Sequence, residues 1–158
     1  MIKLNINREK TVCVSGHRFI GKDLNKEYLI KLFENLIDYG VDTFLIGMAI
    51  GFDTLCFQIL EEFRKQKNIK IIACIPCPTQ AYKFNLEQKK EYDRMVSVAD
   101  EKIILSDIYT PYCMQNRNKF MVDNSSCVIS YLNKEKGGTY NTVKYANTQK
   151  VPVINVVK

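Results

Sequence analysis

Histidine occurs once in this chain, at position 17, and tryptophan not at all. No apolar run approaches the ~20 residues needed to span a bilayer, which excludes a membrane helix. The opening stretch, Met1-Ile2-Lys3-Leu4-Asn5-Ile6-Asn7, alternates apolar and polar residues and lacks the apolar core of a signal peptide. No internal repeat, low-complexity tract or linker interrupts the chain, so residues 1–158 read as a single domain. A domain of that size buries roughly 70% of its unfolded surface. Neither G-x-G-x-x-G nor a P-loop occurs, so the usual dinucleotide and triphosphate fingerprints are missing. The chain is expected to be soluble and cytoplasmic, with no membrane partner.

What is present fits a globular protein: 46% hydrophobic and 25% charged residues, both near average. Six cysteines could suggest a disulfide framework, but Cys13, Cys74 and Cys127 lie in apolar, strand-like runs and Cys56 lies on the apolar face of a helical pattern. Free cysteine behaves there as a small hydrophobe. Cys74 and Cys77 have C-x-x-C spacing, but no second Cys/His pair with ligand spacing follows. No metal site and no cofactor are expected. The net charge of +6 favours anionic partners without separating a small phosphate ligand from nucleic acid.

Short β-branched runs recur at Thr11–Ser15, Thr43–Gly47, Lys70–Ile75, Lys102–Leu105, Cys127–Tyr131 and Pro152–Val156. Most are apolar almost throughout, the pattern of strands buried on both faces. Helical patterns fill the gaps. Leu29, Leu32, Phe33, Leu36 and Ile37 mark the first, with Asp23 as its expected cap and Gly40 as its stop. Leu55, Ile59, Leu60 and Phe63 mark the second, and further helices are expected near Asn85–Ala99, Tyr112–Asp123 and Thr139–Thr148. Sustained strand–helix alternation predicts an α/β fold. Its expected form is a three-layer, Rossmann-like domain with a mainly parallel sheet of about six or seven strands and helices on both faces.

In such sheets ligands bind outside the carboxyl ends of the strands. The first strand runs into Ser15-Gly16-His17-Arg18. There Gly16 permits close backbone approach, Arg18 offers a donor fork suited to phosphate, and His17 offers a group that titrates near neutrality. A polar loop with a merely structural histidine would look the same. The second strand ends in Gly47-Met48-Ala49-Ile50-Gly51-Phe52-Asp53, where two glycines before a helix suggest an anion cradle. Asp53 reads either as that helix's cap or as an acceptor for a ribose hydroxyl. The fifth strand leads to Gly137-Gly138-Thr139, a second junction of the same kind, where Thr139 could cap the helix or bind a phosphate oxygen. A fourth piece, Arg117-Asn118-Lys119-Phe120-Met121-Val122-Asp123, would put Phe120 and Met121 toward the core and Arg117 toward a ligand.

Taken in order, these pieces resemble the SLOG superfamily, the Rossmann-like group that contains the LOG phosphoribohydrolases and the DprA DNA-processing proteins. Within it they are most similar to the small YpsA-like proteins, some of them phage-borne. The matching stretches are Ser15–Arg18, Gly47-x-x-x-Gly51-Phe52-Asp53, Ile75-Pro76, Arg117–Asp123 and Gly137–Thr139 followed by Thr142-Val143 and Tyr145-Ala146. The resemblance implies a pocket for a nucleotide or nucleotide-sugar, with phosphate on the glycine loops. It implies ligand contacts from Ser15, Gly16, His17, Arg18, Gly47, Met48, Ala49, Gly51, Asp53, Pro76, Arg117, Gly137, Gly138 and Thr139. LOG enzymes cleave an N-glycosidic bond with an arginine, matched by Arg117, and a glutamate, whose position here falls on Thr142. A carboxylate stabilises the cationic sugar and orients water; threonine does neither well.

The leading expectation is therefore a protein that binds a nucleotide-derived small molecule as a sensor, sequestering agent or regulator. A nucleotide hydrolase using Arg117, His17 and Asp53 is the second reading, and a DprA-like binder of single-stranded nucleic acid the third. Against the third, no stripe combines aromatics with Lys or Arg; Tyr82, Tyr109 and Tyr112 are the only loop aromatics placed to stack on bases. Oligomers in the resembled family suggest a homodimer.

Overall fold

A computed structural model describes residues 4–158. The first three residues of the alternating N-terminal stretch lie outside the described residues. A short 3₁₀ turn, Arg8–Lys10, leads into β1, Thr11–Gly16. The chain then alternates through α1 (Lys26–Tyr39), β2 (Thr43–Ile46), α2 (Phe52–Arg64), β3 (Lys70–Ile75), α3 (Leu86–Val98), β4 (Glu101–Ile104), α4 (Cys113–Asp123), β5 (Cys127–Tyr131), α5 (Gly138–Thr148) and β6 (Val153–Asn155).

Each expected strand forms within a residue or two of its apolar run. The six pair in the order β4-β3-β2-β1-β5-β6, and every pairing is parallel. The sheet is thus wholly rather than mainly parallel. Val12, Cys13 and Val14 of the central strand have no exposed surface, as expected when helices cover both faces. One core layer joins α1, α2 and α3 to the sheet through Leu29, Phe33, Phe57, Leu60 and Met95. The other joins α4 and α5 through Met121, Val122 and Ala146. The fold is a three-layer, Rossmann-like α/β sandwich. Among the described residues no helix is long and apolar enough to cross a membrane.

The helix ends follow local chemistry, with one correction. Asn25, not Asp23, caps α1, its side chain accepting from the Tyr28 amide at 3.1 Å. Asp23 instead accepts from the Tyr131 hydroxyl and from Asn133 Nδ2, so it ties the loop after β1 to the end of β5. Gly40 does stop α1: at φ +120° its amide bonds Ile37 and the next bonds Leu36, a Schellman closure. Asn85 and Gln88 form a reciprocal capping box on α3. Of the six free cysteines, Cys13, Cys56, Cys74, Cys77 and Cys113 are buried and Cys127 is half-buried.

Strand order decides where a crevice opens. From β1 the chain steps outward through β2, β3 and β4, then returns through α4 to place β5 on the other side of β1. Ser15 and Gly16 stand in register with Ser130 and Tyr131 at this reversal. Loops leaving β1 and β5 diverge to opposite faces there, which leaves a gap beyond the strand ends.

Candidate functional site

A cavity of about 500 Å³ fills that gap. Its wall takes Ser15, Gly16, His17 and Arg18 from the end of β1, Ala49 and Asp53 from the β2–α2 junction, Arg117 from α4, and Gly137, Gly138 and Thr139 from the start of α5. Four chain segments distant in sequence thus meet around one space. Of the residues expected to touch a ligand, Gly47, Met48, Gly51 and Pro76 do not line it.

Their packing explains the exclusion. A β-carbon on Gly51 would meet the Arg18 carbonyl oxygen at 2.2 Å, and one on Gly47 would meet Arg117 Nη1 at 2.6 Å. Both glycines therefore give room to protein neighbours. The amide of Phe52, at the start of α2, donates to the His17 carbonyl, and the Ala49 amide donates to Asp53 Oδ2 at 3.1 Å. Asp53 is consequently not the helix cap, a place taken by Gly51; it is the second residue of the helix and reaches back over the loop. Met48, held at φ +65°, is buried in the core, and Pro76 is buried.

The α5 start is built differently. A β-carbon at Gly137 or Gly138 would meet nothing within 4 Å, and no side chain caps the helix. Its first amides are open toward the cavity at the positive end of the helix. Thr139 is buried in the wall without capping the helix.

Arg117 is only 5% exposed. Nε donates to Asn118 Oδ1 at 2.7 Å, and Nη1 donates to the carbonyls of Gly47 and Cys74. Among the described residues no hydrogen bond engages Nη2. Asp53 is equally buried, and among the described residues its Oδ1 has no hydrogen-bond partner. Burial pushes its carboxyl up to about 6, against the pull of the Arg117 charge and the Ala49 amide. Burial likewise lowers the Arg117 guanidinium, which Asp53 counters. The cavity thus holds one fixed cation beside one carboxylate with a vacant acceptor.

His17 is 8% exposed, and its Nε2 accepts from the Asn133 amide at 3.2 Å, which places the ring proton on Nδ1. Burial first, then the charge of Lys134, hold its pKa below the usual value; Asp23 opposes them. The ring is a neutral acceptor that fixes the loop after β5, and it stands edge-on to Tyr131 at 5.9 Å.

The cavity also takes residues that motif reading passed over. Gln80 is buried, donates to the Gly47 carbonyl at 2.8 Å and accepts from the Tyr92 hydroxyl. Lys134 and the 91% exposed Phe19 stand at the mouth. Gln80 lies in an irregular stretch after β3 with no motif around it, and Lys134 lies in the loop between β5 and α5, outside the glycine junction.

A protein-family model described as the YspA SLOG family, YpsA, matches residues 12–155. The chain belongs to that family. The SPbeta prophage-derived protein YoqJ of Bacillus subtilis strain 168 is 31% identical over 137 residues, covering 77% of this chain and 79% of its own. YoqJ is itself described as uncharacterized. A structure on the single-stranded DNA binding mode of DNA processing protein A from Helicobacter pylori has a TM-score of 0.64 at 18% identity. It covers 90% of this chain, while this chain spans 63% of that one. At that identity the likeness concerns the SLOG fold alone. Within this SLOG chain, Thr142 is buried in α5, donates to the Gly138 carbonyl at 2.8 Å and does not line the cavity.

Proposed function

We propose that this SLOG protein binds a nucleotide or nucleotide-derived anion in the cavity between β1 and β5. The observation that carries the reading is the pairing of open α5 amides with a buried, unpartnered Asp53 Oδ1 in one space. Amides at a helix start suit a phosphate. A buried carboxylate oxygen without a donor suits a ribose hydroxyl, whose hydrogen bond would relieve the burial penalty. Arg117, Arg18 and Lys134 give the wall its anion-attracting side. The expected partner is a small molecule, and the role is that of a sensor, sequestering agent or regulator.

Gly138→Asp tests it. Its side chain has room, and an acid in the first helical turn suits the fold. Charge and bulk at the phosphate position should still lower affinity for adenosine monophosphate by about tenfold or more. Equal affinity in wild type and variant, read by calorimetric titration at matched melting temperature, would remove the anion from this loop. An oligonucleotide ligand is separated by salt, because a bound backbone loses affinity steeply as salt rises, whereas one enclosed nucleotide does not.

A hydrolase reading has one specific observation in its favour: a buried carboxyl poised near 6 beside a buried arginine suits acid–base work near neutral pH. Chromatography of nucleoside monophosphates after incubation decides it. Free base that forms with wild type and not with Arg117→Ala would make the protein an enzyme, with Asp53 in the role that Thr142 does not fill.

A further inference from the structure

A second cavity, of about 400 Å³, lies between α2 and α3. It meets the first at a shared wall: Ile50 and Phe84 line both. The two differ in chemistry. The first is lined by His17, Arg18, Arg117 and Lys134 against the single acid Asp53. The second has no lysine, arginine or histidine in its lining, which combines Met48, Leu55, Tyr92 and Met95 with the acids Glu87 and Glu91. Phosphate is favoured in the first and not in the second, whereas a flat, uncharged ring finds apolar contact there and, among the described residues, an unengaged carboxylate in Glu87 for an edge N–H group, Glu91 being already held by Arg94 and Gln58.

The shared wall is also fixed in place. Phe84 packs edge-on against Tyr92 at 5.6 Å and 88°, and the Tyr92 hydroxyl donates to Gln80, which holds the Gly47 carbonyl. The same carbonyl receives Arg117 from the other side. The buried arginine of the first cavity and the aromatic pair that frames the second therefore hang on one backbone atom.

Resting on the nucleotide reading above, we infer that the α2–α3 cavity is the subsite for the ligand's base, entered over Ile50 and Phe84 from a phosphate held at α5. The ligand class is then a whole nucleotide that crosses the strand ends from one face of the sheet to the other. A phosphorylated sugar without a base would fill only the first cavity.

Gln58→Trp fills the second cavity from an exposed position on α2, and Glu87→Lys reverses one charge at its rim from an exposed position on α3. Both are measured by titration calorimetry with adenosine monophosphate and with ribose 5-phosphate, at confirmed wild-type melting temperature. Gln58→Trp is expected to weaken adenosine monophosphate by about tenfold and to leave ribose 5-phosphate within about twofold. Equal effects on the two probes, or no effect on either, would overturn the base subsite while leaving the anion site intact. Tighter ribose 5-phosphate binding by Glu87→Lys would put the anion in the second cavity and overturn the assignment too. Wild type that binds neither probe would overturn the nucleotide reading itself, and this inference with it.

Discussion

The guanidinium of Arg117 lies so close over Gly47 that a β-carbon on that residue would meet Nη1 at 2.6 Å and Cζ at 2.7 Å. The arginine is held there by the carbonyls of Gly47 and Cys74, at the ends of β2 and β3. A glycine at the end of a strand thus sets the position of a charge contributed by a helix from the opposite layer. Gly47→Ala should cost about 1–3 kcal/mol from overpacking, because a buried arginine has little room to yield. If the proposed site is right, the same change also weakens nucleotide binding by displacing Arg117. Urea unfolding measures the first effect and calorimetry the second.

The glycines should divide by sign of effect. Gly51 has φ +85° and its missing side chain is the space that the Arg18 backbone occupies, so Gly51→Ala should lose about 2–5 kcal/mol. Gly138 has open space around it and sits at the first position of α5, so Gly138→Ala should gain about 0.4–1 kcal/mol by restricting the unfolded chain. Two Gly→Ala changes with opposite shifts in the urea midpoint would confirm that only one junction is built by packing. Destabilisation of comparable size at both would mean that the α5 start is as constrained as the α2 start.

Much of this architecture was legible because parallel strands buried on both faces are written as continuous apolar runs. β1 and β3 are the clearest examples, and Gly40 and Asn85 mark helix ends by residue type. Strand order was not legible, since nothing in a β-branched run names its neighbour. The two glycine junctions looked alike in sequence, each a Gly-bearing loop before a helix. They differ because the first is filled by the Arg18 backbone and the Arg117 side chain, a difference that arises only after the chain has folded. Asp23 misled for a related reason: its residue type suits a cap, but a hydroxyl 108 positions away claims its oxygen. Gln80 and Phe84 carry no local signal at all; an irregular loop places them at the cavity.

His17 should stay neutral at pH 7 and titrate below the usual 6.5. Because its folded pKa is lowered, the neutral ring is the form the fold favours; stability is lost as pH falls below 6.5 toward the folded value. Lys134 is the second cause of the shift, so Lys134→Ala should move the midpoint upward toward the ordinary value. Proton NMR of the single imidazole reads both without assignment. A midpoint that ignores Lys134→Ala would leave burial as the whole cause.

Asp53 gives the opposite pH sign, and the two contributions can be separated. Its folded value is raised from 3.8 to about 6, so the protonated form is the one the fold tolerates. Stability from this group is present at acid pH and is lost as pH climbs through that interval. A shift of that size corresponds to about 3 kcal/mol by pH 7. Asp53→Asn keeps an acceptor for the Ala49 amide but cannot ionise. The difference in unfolding free energy between wild type and Asp53→Asn should therefore change by about 2–2.5 kcal/mol between pH 4 and pH 7, in favour of asparagine at the higher pH. Loss of the charge attraction to Arg117 offsets part of that gain in absolute terms, but it is already contained in the raised value. A bound ribose hydroxyl would donate to the vacant Oδ1 and stabilise the ionised form, so saturating adenosine monophosphate should shrink the pH-dependent gap for wild type alone. Parallel pH profiles for the two proteins, with and without nucleotide, would show that neither the fold nor a ligand shifts the Asp53 carboxyl and would remove it from both the binding and the hydrolytic reading.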